Sequence, residues 1–288
     1  MPKILKPALF DILTGLVLFA LVNVFSTFVY FDYLTCGVLI AILFTLAGWL
    51  RGNNRALPFT LRLLLINLAT LTACFYVPLP VKLFLPIPFI ALLASGMGLY
   101  LRSKSPQWGK GKPALLAVLS LVVICGLTYL FYPNYISHQS SQEMHQPAGE
   151  FGFVSFAGDS VKSTDVNGQV VLLDFWDSSC GPCVAGMPAL EKLYAKYKDH
   201  PKVKIYCINV GWKPMEKEQE FIIQRGYDLP WMYDAKSVCE NKMGFGGAGF
   251  MILLDKQHNI RLLHNGYDRA ENLVGYMSRH IEKLLAES

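Results

Sequence analysis

The sequence predicts a chain in two parts: a membrane module of five helices, followed by an α/β domain in which helices flank a central mixed sheet. Three observations lead to this prediction. The 288 residues are 53% hydrophobic with a mean hydropathy of +0.34, which is too apolar for one soluble domain of that length. Apolar runs fill the first half of the chain. In the second half, strand patterns alternate with helical patterns, as in an α/β fold.

Each apolar run is about 18–20 residues long without a charge, which is enough for a helix to cross a bilayer. The runs cover approximately 12–31, 33–50, 63–81, 83–101 and 114–132. The second and third runs are the shortest, and for each of them a re-entrant segment is the alternative to a membrane span. Lys3 and Lys6 resemble the start of a signal peptide, but no Ala-x-Ala site follows, so the first run is predicted to be an uncleaved span.

The charges predict how this module is oriented in the lipid bilayer. Residues 1–142 carry ten Lys and Arg against two acids, whereas residues 143–288 carry sixteen against nineteen. The net charge of +5 therefore belongs to the membrane module, and no basic stripe with interleaved aromatics indicates nucleic-acid binding. Nine of the module's cations share one side of the membrane, and Lys82 alone lies on the other. The positive-inside rule then predicts a cytoplasmic N-terminus.

These observations predict three regions. A multi-pass module over residues 1–132 lies in the cell inner membrane, a polar linker covers 133–150, and a periplasmic domain covers 151–288. In that domain a hairpin turns at Gly158-Asp159, and Pro188 lies inside the first helix, where a kink is expected. The predicted strands are 151–156, 161–163, 169–176, 202–210, 250–255 and 259–264, and the predicted helices are 181–197, 215–225, 235–243 and 270–285.

The most informative segment places a Cys-x-x-Cys dithiol where a buried strand passes into a helix. Cys180 follows the apolar strand, and Cys183 lies one helical turn further on. A thiol at a helix N-terminus meets unpaired backbone N–H groups and the positive end of the helix dipole, and both stabilise the thiolate that attacks disulfides. The second thiol is close enough to resolve a mixed disulfide.

Residues 146–288 resemble the thioredoxin superfamily, and more narrowly the TlpA/ResA group of membrane-tethered thiol-disulfide oxidoreductases. The resemblance depends on Asp-Phe-Trp at 174–176, Cys-Gly-Pro-Cys at 180–183, Pro188 five residues later, and the strand 250–255. It implies that Cys180 attacks, Cys183 resolves, and Asp174 assists proton transfer at the resolving cysteine. A desolvated carboxyl at that position is expected to have a raised pKa.

The resemblance also implies supporting roles around the dithiol. Trp176 is expected to shield the site, although a plain core aromatic is compatible with the same position. Gly181-Pro182 is the dipeptide of reducing thioredoxins and favours a reductase over an oxidase. Asp177 is also expected to favour a reductase, because a nearby carboxylate disfavours a thiolate on Cys180.

The chain departs from the family pattern at three places. Gly249, preceded by Ala248, stands where the family has a cis-proline that shapes the substrate groove and keeps metals off the dithiol. Gly186 replaces a common glutamate, and Ser179 replaces a common tryptophan, which leaves the groove more open. A glycine-rich loop that makes the same turn differently is the plainer interpretation at Gly249.

The other five cysteines do not form a disulfide framework. Cys36 and Cys74 are predicted to lie at the outer face of the membrane, where they could form a second redox pair that exchanges with the dithiol. Ordinary packing in membrane helices is the competing interpretation for both, and it is the one favoured for Cys125. Cys207 and Cys239 are interpreted as buried structural cysteines, with a third thiol near the site left open for Cys207.

We therefore expect a membrane-anchored thiol-disulfide oxidoreductase that reduces protein disulfides outside the cytoplasm, with cytochrome c maturation or general envelope reduction as its use. It would need a membrane electron donor and no cofactor, and no Cys/His constellation indicates a metal. Three alternatives stay open: a disulfide oxidase, a dithiol module that binds a metal or a partner without turnover, and a peroxidase. The last lacks a Thr-x-x-Cys nucleophile.

Overall fold

The computed structural model describes residues 4–28, 33–51, 56–76, 86–108, 111–234 and 243–287. The chain divides into two compact units, residues 1–133 and residues 134–288. Each unit is described below by itself.

Within the described residues, five helices lie in the part of the chain where five apolar runs are predicted. They are α1 (Leu5–Phe28), α2 (Tyr33–Arg51), α3 (Phe59–Tyr76), α4 (Pro86–Trp108) and α5 (Gly111–Gln139). By length and composition, Leu5–Val22 and Gly111–Gln139 could each cross a membrane, whereas the apolar stretches Thr35–Arg51 and Phe59–Thr72 are shorter.

Small residues allow α2 and α4 to approach each other closely. A Cβ atom added at Gly48 would collide with the backbone carbonyl of Ser95, and one at Gly98 would collide with the carbonyl of Thr45. A largely buried ion cluster joins α1, α2 and α3, since Asp11 Oδ1 lies 2.6 Å from Arg51 Nε and Asp11 Oδ2 lies 3.4 Å from Arg62 Nε.

The second unit is built on an eight-stranded mixed sheet, which confirms the predicted α/β architecture. Its strands are β1 (Ser141–Pro147), β2 (Gly152–Ser155), β3 (Ser160–Lys162), β4 (Val170–Trp176), β5 (Val203–Asn209), β6 (Trp231–Tyr233), β7 (Phe250–Leu254) and β8 (Asn259–Asn265). Their spatial order is β1-β8-β7-β4-β5-β6-β2-β3. The β4–β5 and β5–β6 pairs are parallel, and the other pairs are antiparallel.

Strand β4 is central because both of its faces are apolar, and all seven of its residues are buried. Leu172 and Trp176 face a core that includes Leu190 of α6 (Gly181–Tyr197) and Met277 of α8 (Leu273–Ala286). Phe175, on the opposite face, packs in a second core with aromatic residues of β2 and β7. A strand covered on both faces needs a continuous apolar run, which is the pattern of residues 170–176.

The sequence prediction matches the structure closely at the elements around β4. Helix α6 occupies 181–197, and α7 (Met215–Arg225) occupies 215–225, as predicted. The hairpin β2–β3 and the strands β5, β7 and β8 lie within a few residues of their predicted bounds. The helix predicted over 235–243 falls, except for Met243, outside the described residues.

The prediction that residues 133–150 form a linker is wrong. Helix α5 continues to Gln139, and residues 141–147 form strand β1, which pairs antiparallel with β8. This strand lies at the edge of the sheet, and most of its side chains are exposed. An edge strand is held by backbone hydrogen bonds to one neighbour, so its sequence needs no apolar alternation to mark it. The short strand β6 was missed for a related reason, because three residues carry little pattern.

Candidate active site

The two cysteines of the Cys-x-x-Cys segment form a disulfide at the start of α6. Cys180 is the N-cap residue of the helix, and the Cys183 N–H donates a hydrogen bond to Cys180 Sγ at 3.3 Å. The Cα atoms of the pair are 5.3 Å apart. Gly181 and Pro182 between them are exposed, and Cys183 is partly buried against the core. Both cysteines at the helix N-terminus are half-buried, and Cys183 is the one that packs against the core.

Asp174 lies in the middle of β4 with 8% of its surface exposed, as the sequence analysis expects. Its cross-strand neighbours are Met251 of β7 and Cys207 of β5. Loss of hydration on burial raises the pKa of the carboxyl from 3.8 to about 7. A carboxyl with this pKa can release and accept a proton near neutral pH.

A small cavity connects this carboxyl to the disulfide. Its volume is about 10 Å³, close to the space that one water molecule requires. Asp174, Cys183, Gly186, Gly249 and Tyr267 are among the residues that line it. The buried acid and the inner sulfur therefore line one small cavity, through which a single water could carry a proton between them.

Gly249 lies against the disulfide, where the sequence analysis expects it. A Cβ atom added there would be 3.5 Å from Cys180 Sγ and 3.7 Å from Cys183 Sγ. Its φ of +99° is a conformation that side chains rarely adopt, so glycine is favoured at this position. Its N–H donates to the Phe175 carbonyl at 2.8 Å, and its carbonyl accepts from the Gly266 N–H at 2.6 Å. Two backbone bonds thus hold the loop beside the sulfurs, with Ala248 partly buried next to it.

At Gly186 the place of the family's glutamate side chain is filled by an aromatic ring. A Cβ atom added at Gly186 would lie 3.1 Å from Cγ of Tyr267. Burial raises the pKa of the Tyr267 hydroxyl, and the carboxylates of Glu271 and Asp268 raise it further. Tyr267 has no motif around it, so sequence reasoning could not assign it to the site.

Two predicted support residues do not line the cavity beside the disulfide. Trp176 is completely buried, and its ring packs 5.0 Å from that of Trp231 and 6.0 Å from that of Phe221, measured between centroids. It is a core aromatic, which is the plainer of its two interpretations. Pro188 lies inside α6 and is exposed. Neither side chain lines the cavity beside Cys183.

Asp177 has a buried environment that the sequence did not reveal. Its side chain is fully buried, and Lys213 Nζ lies 3.7 Å from its Oδ1 atom. The same ammonium group lies 3.8 Å from Oε1 of Glu218, a second buried carboxylate. The negative charge of Asp177 is therefore partly offset by Lys213. Its predicted destabilisation of the Cys180 thiolate is smaller for that reason. Lys213 and Glu218 come from a loop and a helix that the sequence marks only as charged and solvated.

The remaining cysteines have different surroundings. Cys207 is a free, fully buried thiol beside Asp174, and burial together with the Asp174 charge raises its pKa well above 9.0. Cys36 is buried in α2. Cys74 belongs to α3, but its side chain lies outside the described residues, as does all of Cys239. The predicted Cys36–Cys74 pair therefore stays a prediction. In the part of the chain that the structure describes, no three His, Cys, Asp or Glu side chains are grouped to hold a metal ion.

A Cys-x-x-Cys disulfide at a helix N-terminus, with a buried acid in the adjacent central strand, defines a thiol-disulfide oxidoreductase of the thioredoxin superfamily. Comparisons with known proteins agree. Residues 144–278 match the Redoxin family. The chain is 31% identical to thiol-disulfide oxidoreductase ResA of Bacillus thuringiensis subsp. konkukian, over 57% of this chain and 95% of the relative. It is 29% identical to ResA of Halalkalibacterium halodurans, over 53% of this chain and 84% of the relative.

Among solved structures, a DsbF homologue from Corynebacterium diphtheriae is 23% identical, covers 49% of this chain and 92% of its own, and gives a TM-score of 0.43. Taken with the ResA relatives, the family match identifies the C-terminal half. This chain belongs to the ResA-like thiol-disulfide oxidoreductases of the thioredoxin superfamily.

The raised pKa of Asp174 predicts how stability depends on pH in the oxidised protein. Well below pH 3.8 the carboxyl is protonated whether the domain is folded or unfolded. Between 3.8 and about 7 only the unfolded state ionises, so the free energy of unfolding decreases as the pH rises, by about 4 kcal/mol in total. Asp174→Asn removes this loss, and the variant should be more stable than the parent at pH 8 but not at pH 4. Hydrogen exchange of the β4 amides in the full-length protein, corrected for intrinsic rates, measures the difference.

The exposed Asp199 provides the matched control. Asp199→Asn should leave the pH dependence of β4 exchange as it is in the parent. Equal pH dependence in the parent and in Asp174→Asn would show that the carboxyl ionises at its ordinary pH in the folded protein.

The Gly186–Tyr267 contact predicts a coupled pair of substitutions. Gly186→Glu should destabilise the domain by about 1–3 kcal/mol, because the new side chain and the Tyr267 ring compete for one space. Tyr267→Ala in the same chain should recover most of that loss, which a double-mutant cycle of unfolding free energies measures. Ala195→Glu, on the exposed face of the same helix, should have little effect. Additive effects of Gly186→Glu and Tyr267→Ala would mean that the ring does not occupy this space.

Proposed function

We propose that this protein reduces disulfide bonds of other proteins outside the cytoplasm, through the Cys180–Cys183 dithiol with Asp174 as the proton-transfer group. The observation that carries the proposal is that the buried Asp174 carboxyl and the inner sulfur, Cys183, line the same small cavity. The thiol-disulfide oxidoreductase class of the chain supports it.

The reaction has two exchange steps. The Cys180 thiolate attacks one sulfur of the substrate disulfide, the S–S bond breaks, and the other substrate sulfur leaves as a thiolate that takes up a proton. Asp174 in its ionised form accepts the proton of the Cys183 thiol, which then attacks Cys180 Sγ and releases the second substrate sulfur. Two electrons pass to the substrate, and the enzyme ends with the disulfide that the structure contains.

Two features favour reduction over oxidation. A reductant is a dithiol whose thiolate is only weakly stabilised. Among the described contacts, the single ammonium group of Lys213 offsets only one of the two buried carboxylates beside the Cys180 loop, Asp177 and Glu218. The remaining negative charge disfavours a thiolate on Cys180. The Gly181-Pro182 dipeptide, exposed at the start of α6, is the other feature.

The surroundings of the disulfide suit a polypeptide substrate. Gly181, Pro182 and Ser179 are exposed next to the sulfurs, and Gly249 brings backbone rather than a side chain to their other side. An extended segment of a folded or partly folded protein could therefore approach closely. The haem-binding cysteines of an apocytochrome c are one such substrate that the family resemblance supports, and disulfides of other envelope proteins are a second.

We infer that the five N-terminal helices form a multi-pass anchor in the inner membrane, with the thioredoxin-like domain in the periplasm. Nine cations on one side of the predicted spans support this orientation. Helix α5 also exposes an apolar surface that is much larger than soluble proteins tolerate. Its exposed apolar side chains include Leu115, Leu116, Val118, Leu119, Val122, Val123, Leu127, Leu130 and Phe131.

A periplasmic reductase must be reduced again after each turnover. We propose that a membrane protein or quinone supplies the two electrons across or within the bilayer. Cys36 and Cys74 are the residues of this chain proposed to receive them, because both are predicted at the outer face of the membrane. No cofactor is required for exchange between dithiols.

Substitution of each cysteine tests the catalytic roles. Cys183→Ser should accumulate a mixed disulfide between Cys180 and a disulfide-bonded model protein such as insulin, because the resolving thiol is gone. Cys180→Ser should form no adduct, and Cys207→Ser should behave like the parent. Asp174→Asn should slow the release of the mixed disulfide by roughly a hundredfold at pH 7. Non-reducing electrophoresis and mass spectrometry measure these adducts.

The opposite pattern would contradict the assignment, in particular trapping through Cys183 in Cys180→Ser. A reduced protein that retains a metal ion and exchanges no disulfide would instead support a binding module.

The proposed orientation is tested with reporter fusions to the full-length chain. Alkaline phosphatase, which requires an oxidising compartment to form its disulfides, should be active when fused after Glu287. Fused after Ser103, in the basic segment that follows the fourth run, it should be inactive. Reversed activities would place the dithiol in the cytoplasm and contradict extracytoplasmic reduction.

A further inference from the structure

Asp177 holds the short segment that leads into Cys180. Its side chain is fully buried. Its Oδ1 atom accepts hydrogen bonds from the Ser179 N–H, at 2.8 Å, and from the Ser179 hydroxyl. Its backbone carbonyl accepts the Cys180 N–H at 3.0 Å. Asp177 thus holds Ser179 through its carboxylate, and it holds Cys180, the N-cap residue of α6, through its backbone carbonyl.

A second buried carboxylate, Glu218 of α7, holds the same segment from the other side. Its Oε1 atom accepts the Ser178 hydroxyl at 2.8 Å, and its Oε2 atom accepts the side-chain amide of Asn209 at 2.9 Å. Asn209 ends strand β5 and pairs with Trp176 in the register of the sheet. Glu218 therefore ties helix α7 and the end of β5 to the residue that stands two positions before Cys180.

Lys213 is placed between these two carboxylates. Its ammonium nitrogen lies 3.7 Å from Asp177 Oδ1 and 3.8 Å from Glu218 Oε1, and it donates a hydrogen bond to the Ser178 hydroxyl at 2.5 Å. Its backbone carbonyl accepts the Tyr233 hydroxyl at 2.9 Å, which fixes its loop. Within the described residues, the Oδ2 atom of Asp177 is buried and has no hydrogen-bond partner. Two buried carboxylates with one cation leave excess negative charge here, and water screens part of it because the Lys213 side chain is 39% exposed.

We infer that Lys213 is a positioning residue that sets how readily Cys180 forms a thiolate, and through it the reduction potential of the Cys180–Cys183 couple. The inference rests on the proposed function in one respect, that Cys180 is the attacking thiol. With Lys213 protonated, the cluster of Asp177, Glu218 and Lys213 carries one net negative charge beside the loop. Without the ammonium group it carries two, and the thiolate that forms next to them becomes less stable. A dithiol whose thiolate is less stable is a stronger reductant.

The equilibrium with dithiothreitol measures this effect in the full-length protein. The two thiols of dithiothreitol close into a ring disulfide, the Cys180–Cys183 bond opens, and two electrons and two protons pass to the protein. Lys213→Met should decrease the equilibrium constant for protein reduction by about tenfold, which is a potential lower by about 30 mV. Alkylation of Cys180, followed by mass spectrometry as a function of pH, should show its thiol titrating at a higher pH. Lys213→Arg keeps the charge and should resemble the parent.

Asp177→Asn gives a second test that does not depend on the folding of Lys213→Met. The amide oxygen can still accept the Ser179 hydrogen bonds, but one negative charge is removed. The equilibrium constant should then increase, in the opposite direction to Lys213→Met. Lys217→Met, an exposed lysine on α7, should leave the constant unchanged.

Unchanged constants in both Lys213→Met and Asp177→Asn, with normal exchange, would overturn the inference and leave the proposed function standing. A parent protein that exchanges no disulfide at all would instead overturn the proposed function. Shifts of the same sign in both variants would indicate a general structural disturbance rather than charge, and would also overturn the inference.

Discussion

The burial of one carboxyl, that of Asp174, is the constraint on which the rest of the domain depends. An acid in the middle of a strand covered on both faces disfavours folding whenever it ionises. The surrounding sheet must therefore supply an ample apolar core, and β4 does so with six other buried residues. Nothing in the packing of β4 needs a carboxyl at this place. The carboxyl of Asp174 lines a cavity with Cys183, where it can serve as a proton-transfer group. Its burial therefore lowers the stability of the domain but supports the chemistry of the site.

The disulfide is framed by backbone and by small residues rather than by the side chains that the family pattern predicts. At Gly249 the loop approaches the sulfurs in a conformation that favours glycine, and hydrogen bonds to Phe175 and Gly266 hold it there. At Gly186 the missing side chain is replaced by the ring of Tyr267. The two departures line the same cavity. Tyr267 and the backbone at Gly249 thereby line the cavity beside the inner thiol together with Asp174.

Local sequence patterns predict the centre of this domain well and its periphery poorly. The dithiol, the buried acid and helix α6 are encoded within residues 170–197, where the apolar run, Cys-Gly-Pro-Cys and the helical periodicity are contiguous. Strand β1 could not be predicted, because a polar edge strand is specified by the backbone of β8, more than 100 residues away. The cluster of Asp177, Glu218 and Lys213, and the position of Tyr267 at the site, could not be predicted from the sequence for the same physical reason. Both depend on tertiary contacts between loops, and an isolated Lys, Glu or Tyr has no pattern that distinguishes a site residue from a surface residue.

The direction of electron flow is the central claim of this account, and the reduction potential of the Cys180–Cys183 couple tests it most directly. The full-length protein is equilibrated with dithiothreitol or glutathione buffers of known potential, and the oxidised fraction is measured by alkylation and mass spectrometry. The account predicts a value near that of thioredoxin, roughly −270 mV. A value near that of a strong oxidant, roughly −120 mV, would contradict it and make this protein a donor of disulfides.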